Sequence, residues 1–204
     1  MLCGTGRAKR WVGVAVLAGS VLLLSWLTYR DMLGYWFTAT DTLTLIDTSR
    51  VHSLGDLVRI LTKPMGYPSR LTARFQYFRP VASLSYSLDY RLWGLNPFGY
   101  HLTDLVLQSA VSLCVFWFVW WVTGGKPLVA WLTAVLFTLH PVLAEAVPAP
   151  ARRHDLMAAL FMLGCLLCFA RLCAGRHNKG LLVFSLLLCA LALGSKEIAI
   201  ILPV

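Results

Sequence analysis

Long apolar runs constrain the fold of this chain more than any other feature of its sequence. The hydrocarbon core of a bilayer, about 30 Å thick, is crossed by roughly 20 apolar residues in a helix. The chain is 58% hydrophobic and only 13% charged, which is typical of multi-pass membrane proteins. We therefore predict an all-α, polytopic integral membrane protein with five transmembrane helices and a truncated sixth. The predicted segments are 11–29, 102–123, 127–147, 155–174 and 181–194, with the start of the sixth at 198–204.

The last apolar run, 198–204, contains seven residues and is too short to cross a bilayer. We expect the chain to be the N-terminal part of a longer protein or a truncated product. A terminal stub packed against the bundle is the alternative.

Basic residues are distributed unequally between the two sides of the predicted bundle. The first apolar run follows a basic tail, 1–10, and ends in aromatic residues, which favours an uncleaved anchor over a secretory signal. With this tail in the cytoplasm, the tail and the short inner loops carry seven Lys and Arg, and the short outer loops carry three. The positive-inside rule favours this orientation. It places the loops 30–101 and 140–154 on the outer side.

The first outer loop, 30–101, contains two predicted helices. The stretch "HSLGDLVRILTK" has apolar residues at helical spacing, and Ser53 followed three residues later by Asp56 resembles a capping box. We predict an amphipathic helix near 53–63 that lies on the outer leaflet. A second interfacial helix is predicted near 82–93.

The stretch "HPVLAEAVPAPARRHD" packs two His, one Glu, two Arg and one Asp into sixteen residues between two apolar runs. A charge at mid-bilayer costs about 2.5–3.5 kcal/mol on insertion scales, and the prolines prevent a continuous helix. The backbone of this stretch must therefore lie in water or line a cavity within the protein. A hydrated loop with paired charges and a polar site shared with the first outer loop both fit this pattern.

Four stretches, in this order, resemble the polytopic glycosyltransferases of the GT-C fold: "FTATDTLTLI", "YFRPVASLSYSLDYRLWGLNPFGYHLTDLVLQ", "HPVLAEAVPAPARRHDLMAALF" and "GSKE". The likeness is closest to the transmembrane and tetratricopeptide repeat-containing O-mannosyltransferases and their bacterial relatives, and it covers about residues 30–204. The residues that match motifs of the family are Asp41, Arg79, Pro80, Gly94, Leu95, Pro97, Tyr100, His101, His140, Pro141, Glu145, Ala146, Val147, Arg153, Asp155, Ser195, Lys196 and Glu197.

The chain departs from the family pattern at several positions. Thr40 stands where the first member of an acidic pair is expected, and Asp104 and Gln108 replace an Asn and a His. Leu143 and Ala144 replace a His and a Thr. These departures keep a catalytically inactive, truncated remnant as an alternative to an active enzyme.

The resemblance implies a membrane glycosyltransferase, or a fragment of one, that transfers a sugar such as mannose from a polyprenyl-phosphate donor to a protein hydroxyl on the outer or lumenal side. A carboxylate suits the general base of this reaction, and Asp41 is the candidate. Cations suit the donor phosphate, and other carboxylates suit the orientation of those cations or the binding of a divalent metal. The candidates for donor phosphate or substrate binding are Arg79, His140, Arg153 and Lys196, and the orienting or metal-binding candidates are Glu145, Asp155 and Glu197. No close ligand spacing such as HxxxH supports a metal.

The partners implied are the lipid bilayer, the lipid-linked sugar and a protein or peptide acceptor. The net charge of +9 indicates topology and lipid contact, so no nucleic acid partner is expected. A bacterial inner membrane or the endoplasmic reticulum membrane is the expected location. A non-enzymatic membrane or transport protein is the rival class, and it predicts ionisable residues within the spans, whereas nearly all of them lie at helix ends and in loops here.

Overall fold

A computed structural model describes residues 4–37, 40–68, 77–175 and 178–202, with side chains from residue 11 onward except those of residues 40 and 41. These residues form helices and turns without a strand, which confirms the all-α prediction. The helices are α1 (Gly4–Tyr29), α2 (Thr40–Thr48), α3 (Leu54–Thr62), α4 (Pro80–Trp93), α5 (Pro97–Val122), α6 (Pro127–Thr138), α7 (Leu143–Ala146), α8 (Arg153–Cys173) and α9 (Lys179–Ser195). Short 3₁₀ helices lie at Arg30–Gly34, Pro150–Arg152 and Glu197–Ile201.

Three helical segments of the described chain are long and apolar enough to cross a membrane: Trp11–Gly34, Pro97–Val122 and Pro150–Cys173. The apolar helices α6 and α9 are shorter, with 12 and 17 residues. At 1.5 Å per residue they would span about 18 and 26 Å. The membrane character of the chain is thus confirmed, while five complete crossings stay a prediction.

The third apolar run does not form one helix over 127–147. Helix α6 ends at Thr138, and a turn at Pro141 leads into the short α7. Proline restricts the residue before it to extended backbone and lacks an amide hydrogen, which accounts for the break. In the last run, Glu197–Ile201 forms a 3₁₀ helix, and the start of a sixth transmembrane helix at 198–204 stays a prediction. Residues 203–204 lie outside the described residues.

Helix α3 begins with the hydrogen bonds that its sequence pattern predicts. The hydroxyl of Ser53 accepts a hydrogen bond from the amide of Asp56, and the carboxylate of Asp56 accepts one from the amide of Ser53. This capping box pairs amides that the first turn of a helix leaves without partners. Leu54, Val58 and Leu61 are exposed, which fits a helix at a membrane surface.

Small residues let α1, α5 and α6 pack closely in the middle of the bundle. Ala18, Ala130 and Ala134 are buried in one cluster with Val21 and Phe116. Close packing through small residues favours helix association in a bilayer, because lipid tails are as apolar as Leu and supply no hydrophobic drive. This cluster fixes the three helices beneath the end where the outer segments pack.

A buried aromatic cluster attaches the outer segments to the bundle. Ile46 of α2 and Tyr86 of α4 pack with Phe37 and with Tyr100 of α5, and the rings of Phe37 and Tyr100 meet edge to face at 5.4 Å. The hydroxyl of Tyr86 donates a 2.6 Å hydrogen bond to the carbonyl of Pro150. Burial raises the pKa of Tyr86, so this donor keeps its proton. Helices α2 and α4 are thereby held against the turn that precedes α8.

Candidate functional site

Arg79 and Glu197, far apart in the sequence, form a two-point ion pair at one end of the bundle. Nη2 of Arg79 donates to both carboxylate oxygens of Glu197, at 3.1 and 2.9 Å. The Arg79 side chain is 8% exposed, whereas that of Glu197 is 51% exposed. Partial burial acts to raise the pKa of Glu197, but the hydrogen bonds from Arg79, a hydrogen bond from its own backbone amide and the nearby positive charge together outweigh burial and hold the pKa below its ordinary value. Glu197 is therefore a carboxylate that stays ionised and orients a nearly buried cation.

A second ion pair involves Lys196, the residue directly before Glu197, and joins the end of α9 to α8. Nζ of Lys196 donates a hydrogen bond to Oδ1 of Asp155. Nε2 of His154 lies 3.7 Å from the same oxygen. The side chains of Lys196 and Asp155 are 30% and 33% exposed, so this pair is open to solutes at the bundle end.

Local structure explains how these side chains come together. Pro80 occupies the first position of α4, where a missing amide costs nothing, and this makes Arg79 the N-terminal flanking residue. A Cβ atom on Gly194 would lie 2.6 Å from Cγ2 of Val81. Only glycine therefore permits this approach of α9 to the start of α4. The residues that follow Gly194 therefore lie close to Arg79.

Arg153 lies in a different environment from the one predicted for a phosphate-binding residue. Its side chain is fully buried, and each of its three nitrogens donates a hydrogen bond within the protein. Nε donates to Asp104 at 2.6 Å, Nη1 to Asp89 at 2.6 Å and Nη2 to the carbonyl of Tyr100 at 3.0 Å. The guanidinium also lies 5.0 Å from the centre of the Tyr86 ring. In this structure Arg153 joins α4, α5 and α8 and presents no surface to a lipid phosphate.

Sequence reasoning missed the role of Asp89 and treated Asp104 only as a departure from the family pattern. Both carboxylates are nearly inaccessible, at 4% and 1% exposure, and both pair with Arg153. Thr103 donates a further hydrogen bond to Asp89 at 2.9 Å. One signal in the sequence could have indicated this pairing: each of these two largely apolar helices contains a single carboxylate. A buried carboxylate requires a cation or hydrogen-bond donors as partners.

Two other predicted residues do not join the Arg79 and Lys196 pairs. Glu145 pairs with Arg152 at 2.7 Å, and their side chains are 71% and 48% exposed. His140 is exposed, and its Nδ1 accepts a hydrogen bond from the amide of Val142 at 3.3 Å. His140 lines a separate cleft of about 320 Å³, together with Asp31.

Asp41, the predicted general base, has a described backbone only. It lies in the first turn of α2, and its side chain falls outside the described residues. Ile46, five positions further along the same helix, is buried against Tyr86. At 1.5 Å per residue the Asp41 backbone lies about 7.5 Å along the helix from that anchor.

Comparison with known proteins finds relatives over different lengths of the chain. It is 36% identical to protein O-mannosyl-transferase tmtc2 of Xenopus laevis over 104 residues and 34% identical to TMTC2 of Homo sapiens over 99 residues, and each alignment covers 48% of this chain. Protein O-mannosyl-transferase Tmtc1 of Drosophila melanogaster is 28% identical over 188 residues, which is 92% of this chain. The chain is thus similar in sequence to protein O-mannosyl-transferases of several animals. No family model and no solved structure matches it.

The chain spans only a small part of these O-mannosyl-transferases. The alignments cover 12% of the Xenopus and human proteins and 22% of the Drosophila protein. Among the residues that the structure describes, no group of three or more His, Cys, Asp or Glu could hold a metal ion. Asp155 and Glu197 instead each pair with a cation of the protein.

Proposed function

We propose that this O-mannosyl-transferase homologue forms the membrane part of a glycosyltransferase that moves mannose from a polyprenyl-phosphate donor to a protein hydroxyl. The observation that carries the proposal is the meeting of Arg79, Asp155, Lys196 and Glu197 from three distant segments at one end of the bundle. The relatives are animal proteins, which favours the endoplasmic reticulum membrane over a bacterial inner membrane. With the N-terminal tail in the cytoplasm, this end of the bundle faces the lumen.

Lys196 is the residue best suited to bind the donor phosphate. An ammonium group has three donors, and one of them is used by Asp155. The remaining donors belong to a side chain that is 30% exposed. A phosphate that arrives at the headgroup level would therefore meet a cation that its carboxylate partner already holds in place, so little side-chain entropy is lost on binding.

Arg79 completes the anion site from the side of α4. Its side chain is nearly buried and held by Glu197 and by the face of the Tyr77 ring, which lies 4.4 Å from the guanidinium. A fixed cation of this kind stabilises the negative charge that develops on the leaving phosphate without reorganisation during the reaction. Asp155 and Glu197 orient the two cations in this proposal.

Arg153 is a positioning residue in this proposal rather than a ligand of the phosphate. Asp155 follows it by two residues on α8, so the buried contacts of Arg153 with Asp89 and Asp104 fix the start of the helix that presents Asp155. His140 and Glu145 lie outside the Arg79 and Lys196 pairs. His140, which lines a separate cleft, stays a proposed substrate-binding residue, whereas Glu145 is paired with Arg152 at the surface.

Asp41 remains the proposed general base, which takes the proton of the acceptor hydroxyl as its oxygen attacks the anomeric carbon. The bond from that carbon to the donor phosphate breaks in the same step, and the phosphate leaves with the electron pair. Support comes from the anchoring of α2 against Tyr86 and Ala151, close to the start of the helix that carries Asp155. General base catalysis of this kind contributes about 10²–10⁴-fold.

The test is transfer of radiolabelled mannose from polyprenyl-phosphate mannose to a Ser/Thr-rich peptide, with the protein in proteoliposomes. We expect Asp41→Asn to lower kcat by about 10²–10⁴-fold and Lys196→Gln to raise KM for the donor. Arg152→Gln, which removes an exposed neighbouring charge, is the matched control and should change neither constant. Equal turnover of the wild type and Asp41→Asn would refute the assignment of the base. Lys196-dependent donor binding without any transfer would instead support the inactive alternative.

A further inference from the structure

An apolar groove lies at the opposite end of the bundle from the Arg79 and Lys196 pairs. Its volume is about 590 Å³, and it runs between α1, α5, α8 and α9. Volumes of roughly 300–1,000 Å³ are typical of sites for small molecules. Its lining includes Trp117, Phe161 and Leu188, together with Gly164 and Arg171.

The end of the bundle that holds this groove has basic residues but no carboxylates. The sequence contains no Asp or Glu before Asp31, none between 105 and 144, and none between 156 and 196. Helices α5 and α8 end here, and α6 and α9 begin here. Lys126 and Arg171 therefore lack an acidic partner from any of these helix ends. An anion from outside the protein can therefore approach Arg171 without competition from a carboxylate of these helix ends.

The groove has the chemistry of a site for an amphiphile rather than for a water-soluble anion. Four of its lining residues are tryptophans, Trp11, Trp117, Trp120 and Trp121, a residue that concentrates where the bilayer meets water. Arg171 lies in the last turn of α8, at the level where an anionic headgroup would sit. Its planar fork suits a phosphate diester, while the aromatic walls suit an acyl chain.

We propose that this groove binds one anionic phospholipid of the surrounding leaflet, with its phosphate at Arg171 and one acyl chain between α5, α8 and α9. The inference is independent of the sugar-transfer site, because the two lie at opposite ends of α5 and α8. A bound lipid would fill the space between four helices and hold α9 against the bundle. Lipid composition would thus control the packing of α9, the helix that Lys196 directly follows.

The experiment measures tryptophan quenching by brominated lipids in vesicles of phosphatidylcholine and phosphatidylserine. The tryptophans outside the groove are first replaced by Phe, at Trp26, Trp36, Trp93 and Trp131, so that only groove residues report. In paired samples, the bromine is carried either by phosphatidylserine or by phosphatidylcholine at equal mole fraction. We expect stronger quenching by brominated phosphatidylserine.

Arg171→Gln should lower the relative association constant for phosphatidylserine about fivefold, which is the effect of one basic residue near an anionic surface. Arg171→Lys should restore most of the preference. Lys126→Gln is the matched control, because it removes a charge at the same end without lining the groove, and it should leave the preference unchanged. Equal quenching by the two lipids would overturn the proposal, as would a preference that survives Arg171→Gln. Quenching by neither lipid would also overturn it, since another polypeptide segment would then cover the groove.

Discussion

Replacing Arg153 with methionine leaves two buried carboxylates without the cation that pairs with them. Asp89 and Asp104 are 4% and 1% exposed, and each lies 2.6 Å from a nitrogen of Arg153. Removal of one partner from a buried ion pair costs about 3–5 kcal/mol, because the charge that remains is desolvated and uncompensated. For a chain of this size, 1 kcal/mol shifts Tm by roughly 2–4 °C. We therefore expect Arg153→Met to lower Tm by roughly 6–20 °C.

The measurement is thermal unfolding of the purified chain in detergent, followed by the reaction of buried cysteines with a fluorogenic maleimide. Cys168 is buried and reports unfolding, whereas the exposed Cys173 is replaced by Ser in every variant. Arg152→Met is the matched control, because its partner Glu145 is 71% exposed and an exposed pair contributes only about 0–1 kcal/mol. A triple variant that combines Arg153→Met with Asp89→Asn and Asp104→Asn should recover much of the loss, since no buried charge remains. If Arg153→Met and Arg152→Met unfold at the same temperature, the buried cluster does not hold the helices together.

Two further predictions concern helix packing and pH. A Cβ atom on Gly99 would lie 2.1 Å from Cγ of Trp93, so Gly99→Ala should cost about 1–3 kcal/mol through overpacking. Gly13→Ala, which meets nothing within 4 Å, should be neutral or slightly stabilising in the same unfolding assay. The lowered pKa of Glu197 means that its pair with Arg79 contributes stability above the ordinary Glu pKa of 4.5 and loses it as the pH falls through the lowered value. The difference in Tm between the wild type and Glu197→Gln should therefore be constant near neutral pH and vanish in acid; a difference that persists in acid would contradict the pairing.

Local patterns predicted the helices well where the cause of the structure is local. The capping box at Ser53 and Asp56 involves residues three apart, so the sequence contains the whole interaction. The length and apolar character of the first and second spans likewise follow from composition along the chain. In the third run the helix ends at Thr138, before Pro141, and the extent of that membrane segment stays a prediction.

Long-range pairing explains the largest difference between the predicted site and the observed one. Arg153 sits beside Arg152 and His154 in a charged stretch, and nothing in that stretch shows that it is buried. Its partners lie 64 and 49 residues earlier in the sequence, on α4 and α5. By contrast, Arg79, Lys196 and Glu197 were each selected from the sequence, but their pairing partners could not be deduced from it.

Hydropathy and charge order along the sequence determined that this protein is a bundle of membrane helices with its acidic residues confined to one end. Each helix satisfies its own backbone hydrogen bonds, so its position is encoded by consecutive residues alone. Only the tertiary structure decided that Lys196 is partly exposed with its carboxylate partner, whereas Arg153 is buried between helices. That choice depends on the close approach of α9 to α4 at Gly194 and of α8 to α4 and α5. Burial of a charge is a property of the assembled helices, because desolvation arises only when all the surrounding elements are in place.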